Sequence, residues 1–586
     1  MASLLLISSS FAQNIGINAD GSRPNPNAIL DIKSGTKGLL IPRMDSLARN
    51  SIPNTKGLLV YDISTDNFWY NTGKGWECIP NDKDRGKGGD AWLLKGNGNT
   101  TDGVNFLGTT NNVPLNIRVN NQPSGRIDSA SGSTFWGYRA GGNNTGVNNS
   151  AIGHQALYWN TTGYSNTASG CQSLFFNTSG NSNTASGLSS LQSNTSGALN
   201  TASGVQAMFN NKTGNANTAF GQQSLYSCVD GNASTAVGYY ALYHTTVGGN
   251  TALGFYALYA NTTGNYNTAT GNFALPANTT GNFNVANGFY ALAQNTTGGN
   301  NTAIGTQSML FNDAGSNNSA SGYQSLYVNS EGNFNTAHGS LSLAFNSTGS
   351  DNTADGFQSL YRNTTGQNNA AVGESSLYSN VTGNNNTALG YQANVSVDGL
   401  SNATALGSGA IVDASNKVRI GNGAVTVIEG QVPFTTPSDG RYKFNVEENV
   451  GGLDFVLRLR PVTYQFDVQR FDANMRHQPF NGAGNYALQA GYDEATRIRR
   501  SGFIAQEVEK AADASGYDFS GIIRPKTEQD HYSLSYDAFV VPLVKAVQEQ
   551  QQIIQQQNKR LEEQDKKLTA LQAQLDEIKK LLQPAN

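Results

Sequence analysis

The chain has 586 residues, a length for about three or four domains, and a formal net charge of −4. That balance offers no general attraction to nucleic acid or to an anionic membrane, so neither is expected as a partner. Only 13% of residues are charged and 66 are Gly, yet 37% are hydrophobic and Tyr and Phe number 25 each, which argues against a plain disordered linker and for folding by repetition.

The chain opens with Leu4-Leu5-Leu6-Ile7 followed by Ser-Ser-Ser-Phe-Ala-Gln, an apolar run with small residues after it. Residues 1–12 therefore read as a secretory signal peptide cleaved after Ala12. No Lys or Arg precedes the short run, as expected of a start that has lost its first residues. No other stretch approaches the apolar length of a membrane span, so the expectation is a secreted or cell-surface chain without a transmembrane span.

Residues 13–80 read as a small β module with strands over 28–32, 36–42 and 55–61, and its repeated TKGLL predicts similar hairpin halves. The aromatic cluster of Phe68, Trp69, Tyr70 and Trp76 reads as packing inside that module rather than as a glycan platform. The module resembles the N-terminal segments of secreted proteins that carry tail-fibre-like ends. Residues 81–135 read as a linker or cap.

From 136 to 410 the sequence repeats. Glycines fall at 137, 153, 170, 187, 204, 221, 238, 254, 271, 288, 305, 322, 339, 356, 373, 390 and 407, and fourteen of the sixteen intervals are 17 residues. The unit reads N-T-A-x-G-x-x-[AS]-L-x-x-N-T-T-G-x-x. Ala precedes the glycine by two residues in sixteen copies, and Leu or Met follows it by four in fourteen. The small residues permit close backbone approach, and each Leu supplies about 1.5–3 kcal/mol of apolar burial.

The N-[TS]-[TS]-G segment is turn chemistry, since Gly tolerates positive φ and Asn bonds its own backbone. One unit cannot bury its apolar face, so neighbouring copies must stack into a solenoid or roll of roughly 75–80 Å. The Asn four residues before the glycine, present in fourteen copies, predicts an Asn ladder along the stack. Ten charged side chains over 137–410 leave a neutral surface of amides and hydroxyls, suited to a stalk facing a cell-surface glycan or host receptor. The N-x-A-x-G units resemble the β-roll heads of trimeric autotransporter adhesins and the shafts of phage tail fibres.

Cys78, Cys171 and Cys228 lack any CxxC or Cys/His spacing, and the histidines are scattered, so neither a metal nor a cofactor is expected. Residues 411–436 carry Val418-Arg419-Ile420-Gly421 and Val425-Thr426-Val427-Ile428, which read as short strands of a neck. Ordinary globular composition then returns over 437–545.

Four blocks stand in order there: Ser438-Asp439-Gly440-Arg441-Tyr442-Lys443, Arg460-Pro461-Val462-Thr463-Tyr464, Gly502-Phe503-Ile504-Ala505-Gln506-Glu507 and Tyr532-Ser533-Leu534-Ser535-Tyr536. Together they resemble the endosialidase-type intramolecular chaperone, a self-cleaving tail-spike domain also found in myelin regulatory factor. The resemblance implies a domain that trimerises, registers the preceding fibre and cuts the bond before its serine. It implies Ser438 as nucleophile, Lys443 as its base, and Pro437–Ser438 as the cleaved bond. Arg441 could lower the proton affinity of Lys443 or simply pair with Asp439. Pro437 before the serine and Phe444 after the lysine depart from the family pattern. The stretch over 467–500 reads as an inserted loop.

Residues 546–586 are helical by pattern, with Val547, Ile554, Leu561, Leu568, Leu575 and Leu582 spaced by seven and Gln550, Gln557, Gln564, Leu571 and Ile578 as a second seam. A lone helix would expose that stripe, so a three-stranded coiled coil is expected.

The expected fold is mainly β: a fibrous trimeric β-roll or solenoid, then an α+β chaperone domain and a C-terminal coiled coil. The expected activity is a single self-cut by a Ser–Lys dyad in a homotrimeric adhesin or tail fibre. Two alternatives stay open: a stalk whose chaperone no longer cuts, and a tail-spike acting on polysaccharide, for which seven acidic residues over 137–410 are few.

Overall fold

The computed structural model describes residues 14–79, 101, 104, 106–476, 486–526 and 530–582. The signal peptide expected at 1–12 and residues 81–100 of the linker lie outside the described residues. The chain divides into residues 1–110 and 111–586.

In the first unit, Ile15–Asn18 pairs in parallel with Leu30–Lys33. A four-stranded sheet follows in the order Arg43–Met44, Leu59–Asp62, Asn67–Asn71, Trp76–Ile79. The strand expected over 36–42 does not form, and Leu39 and Leu40 are exposed. The two TKGLL segments are therefore not equivalent halves. A strand needs a partner for its N–H and C=O groups. Leu59 finds one in Tyr70, whereas within 36–42, among the described residues, only the Pro42 carbonyl at the end is used by a strand, accepting from the Tyr61 N–H at 2.9 Å. Trp69 packs under the buried Arg49, whose guanidinium carbon lies 3.5 Å from the ring centroid and whose Nη1 meets Asp62 at 2.9 Å.

The second unit starts with an antiparallel meander, Leu115–Val119, Gln122–Asp128 and Ser133–Trp136, whose last strand pairs in parallel with Ser150–Ile152. From there each repeat is one coil of a solenoid. Its three-residue strand pairs in register with the next, so Ala151, Ala168, Ala185 and Ala202 form one column. Val418–Ile420, expected in the neck, is instead the final rung, paired with Thr404–Leu406.

Inside each coil sit the Ala two residues before the glycine, the Leu four after it, and the Ala or Ser between them. That Leu lies in a tight turn, with Leu157 at φ 53° and Gln155 at φ 55°. Left-handed backbone costs a branched residue about 1–2 kcal/mol. Full burial of the side chain offsets it. At Gly271, φ is 128° and a Cβ would lie 2.7 Å from the Gly288 carbonyl oxygen, so coil spacing itself demands glycine.

Two asparagine ladders run through the core. In the expected one, Asn149 Oδ1 accepts from the Asn166 N–H at 2.9 Å, and Asn166 Nδ2 donates to the Gly180 carbonyl at 2.8 Å. The second uses the turn asparagine: Asn177 Nδ2 donates to Asn160 Oδ1 at 2.6 Å and Asn194 Nδ2 to Asn177 Oδ1 at 2.7 Å. All are fully buried, so the turn residue serves the stack rather than only its own loop.

Past Gly421 the chain runs without strands to 439, and Val425–Ile428 does not form the expected neck strand. Val427, Ile428, Val432 and Phe434 stay exposed, with no strand beside them. The domain that follows is α+β. Helices Leu453–Arg458 and Ala505–Ser515 pack Phe455, Val508 and Ala512 around Phe519 and Phe539. Strand Val462–Tyr464 pairs with Arg500–Gly502, and between them the inserted stretch forms helices Val468–Arg476 and Tyr486–Arg497 rather than a loop.

The terminal helix spans Val540–Leu581, beginning earlier than 546 because Pro542 and Ala546 are buried against the domain. Beyond that turn the seam meets no partner among the described residues, with Leu561 56% and Leu568 66% exposed. No helix among the described residues is long and apolar enough to cross a membrane.

Candidate functional site

Asp439 and Lys443 bracket a single 3-10 turn, Gly440–Tyr442. The Asp439 carboxylate caps it, accepting from the Arg441 N–H at 2.9 Å. One turn spans the six residues from Ser438 to Lys443 and returns the lysine over the serine. Lys443 Nζ stands 2.7 Å from Ser438 Oγ.

Arg441 does not reach toward Lys443. Its Nε and Nη2 both meet Asp439 Oδ2, at 2.9 and 2.6 Å, and this pair holds the Asp439 carboxyl below the usual carboxylate range. Of the two roles open to Arg441, the geometry is that of the ion pair. Its contribution is to fix the turn that carries the serine and lysine together.

Residues 437–444 are all exposed in the single chain. A serine hydroxyl that acts as a nucleophile needs a base within hydrogen-bond reach, and Lys443 Nζ lies within that distance of Ser438 Oγ. A lysine acts as a base only when neutral, a state favoured by burial or by a nearby cation. In one chain alone Lys443 is exposed, so burial is not supplied. The exposed apolar residues flanking the dyad, Phe434, Tyr442, Phe444 and Val446, are of the kind that a covering surface would bury.

The seam residues Val547, Ile554, Leu561, Leu568, Leu575 and Leu582 share one side of the terminal helix or its end and are all exposed. Sequence reasoning missed a cluster where the solenoid ends, formed by Asp413, Asp530 and His531. Lys417 Nζ stands 2.7 Å from Asp413 Oδ1 and supplies the positive charge there. The histidine looked isolated because its partner is over a hundred residues away.

Two family models match. Residues 16–96 match the phage tail-like trimerisation region, and residues 438–517 match the chaperone of endosialidase, a match whose first residue is Ser438. No curated protein matches the chain.

Proposed function

We propose that the chain is a secreted or surface homotrimeric fibre, of tail-fibre or adhesin type, whose C-terminal domain assembles the three chains and then cuts the Pro437–Ser438 bond. The observation that carries the cut is the 2.7 Å contact between Ser438 Oγ and Lys443 Nζ, at the first residue of the match to the chaperone of endosialidase. Ser438 Oγ attacks the Pro437 carbonyl carbon while Lys443 takes its proton, and returns it to the departing amine. Water then releases the resulting ester.

Trimerisation is supported at both ends and along the shaft. The first match is to a trimerisation region, and the terminal helix has an uncovered apolar seam. Between them, residues next to the repeat glycines stay exposed, among them Ile152, Val237, Tyr239, Phe255, Phe289 and Leu389. Such a stripe suits contact between parallel shafts. The neutral surface, with stacked rings such as Phe209, Tyr226 and Tyr243, favours a glycan as what the assembled fibre meets on a cell.

A gel with mass spectrometry of the fragments tests the cut. Wild type should give pieces ending at Pro437 and beginning at Ser438, while Ser438→Ala and Lys443→Ala should each give one band. An intact wild-type trimer would favour the alternative, a stalk with a folding clamp that does not cut. That reading draws on the exposure of the dyad and on Pro437.

A further inference from the structure

If the chain is cut before Ser438, everything from Ser438 onward stays only through contacts across the cut. Those contacts form a defined patch between the last solenoid coil and the inserted helices Val468–Arg476 and Tyr486–Arg497. Arg476 Nη2 donates to the Gly409 carbonyl at 2.9 Å, and its Nε meets Asp472 at 2.6 Å. Tyr492 is buried and donates from Oη to the same Asp472 carboxylate at 2.7 Å. On the solenoid side, the Arg419 guanidinium carbon lies 5.4 Å from the Phe471 ring centroid.

Two glycines show how close the surfaces come. A Cβ on Gly423 of the solenoid side would strike the Val468 side chain, and one on Gly491 of the insertion would lie 2.8 Å from the Ala424 Cβ. Ala424 packs on the small core of Val468, Tyr492 and Ala495. A second contact reaches the same coil from further on, where His531 Nδ1 lies 2.9 Å from Asp413 Oδ2 and its ring meets Phe471 edge-on at 4.7 Å.

We propose that this patch is a clasp: the insertion docks the C-terminal domain onto the end of the solenoid, so cutting the bond and releasing the domain are separate steps. The inference rests on the proposed cleavage for its role, and on the contacts alone for its existence. The chemistry is that of an interface that holds and can open. A tyrosine, two arginines and three carboxylates surround an apolar centre made of only a few side chains, a more polar mixture than a permanent interface carries. Among the described residues of the 467–500 stretch, no hydrogen bond or ion pair reaches the Ser438–Lys443 pair, whereas Arg476 and Phe471 both reach the solenoid end.

The test uses the full-length Ser438→Ala protein with a specific protease sequence in place of residues 429–435, so that the cut no longer depends on the dyad. After cutting, both fragments should elute together in gel filtration. Ala424→Arg on the solenoid side and Arg476→Ala on the insertion should each release the C-terminal fragment at least ten-fold faster, while the uncut variants elute as the parent does. Fragments that part on cutting in the parent protein, or variants that hold as firmly as the parent, would overturn the clasp. Wild type run alongside separates the two ideas: an uncut wild-type chain removes the cleavage reading and leaves the clasp result standing.

Discussion

Asn211 Oδ1 is buried without a hydrogen-bond partner, and the residue one coil further on is Cys228. Elsewhere in this ladder the next coil supplies an Asn Nδ2 donor, as Asn211 does for Asn194 at 2.8 Å. Cys228 keeps the volume and loses the donor. The ladder resumes only where Asn261 Nδ2 meets Thr245 Oγ1 at 3.1 Å.

Cys228→Asn should therefore restore the rung and stabilise the solenoid by about 1 kcal/mol, the net worth of a buried neutral hydrogen bond. A thermal melt of the variant should rise, and an unchanged or lower midpoint would count against the ladder as a source of stability. Burial pushes the Cys228 thiol up to about 11. In the folded protein at neutral pH, a thiol alkylating agent should label the exposed Cys171 and spare Cys228.

Gly271→Val should be costly for two separate reasons. A side chain at φ 128° is strained, and its Cβ would meet the Gly288 carbonyl at 2.7 Å. Together these amount to about 3 kcal/mol. Because each coil touches only its neighbours, the damage should open the stack locally. Limited proteolysis should then cut near 271–288, and a protease-resistant variant with an unchanged melt would remove the structural reading of the glycine.

The repeat made the solenoid legible in the sequence, because a fixed 17-residue period states which residues must align. Its interior was legible for Ala151 and Leu157, which are small or apolar. It was hidden for Asn160, whose residue type suits a turn equally well, and only stacking decides that it faces inward. The pairing of Ser438 with Lys443 was implied by the family resemblance and only allowed by the five-residue spacing, while the Arg441–Asp439 pairing was one of two possibilities that spacing could not separate. The clasp was not legible at all. Asp413 and His531 are distant in sequence and belong to no motif, so nothing before folding links them.

Glu549, on the terminal helix, accepts from the Leu453 N–H at 2.7 Å and caps a helix whose own Gly452 offers no side chain. This ties the start of the terminal helix to the C-terminal α+β domain. Glu549→Ala should destabilise the domain by about 1–2 kcal/mol, and Glu549→Gln by less, since an amide oxygen still accepts but carries no charge for the helix terminus. Denaturant melts of the three proteins should fall in that order, and equal midpoints would exclude the cap.

The proposed cut should depend on assembly, and the seam variants test this. Leu561 and Leu568 are exposed along a stripe of residues seven apart, so aspartate at both would put unpaired charge into any coiled-coil core. Leu561→Asp/Leu568→Asp should lower the mass by light scattering from three chains to one. It leaves Ser438 and Lys443 untouched, more than a hundred residues away in sequence. The Ser438–Lys443 pair of a single chain lies open to water, and packing of three chains would be what encloses it. The dissociated variant should therefore stay uncut under conditions where wild type is processed, as Ser438→Ala does by a different route. A dissociated chain that still cuts at the wild-type rate would mean that one chain alone completes the site. A variant that remains trimeric would mean that the helix seam is not what joins the chains.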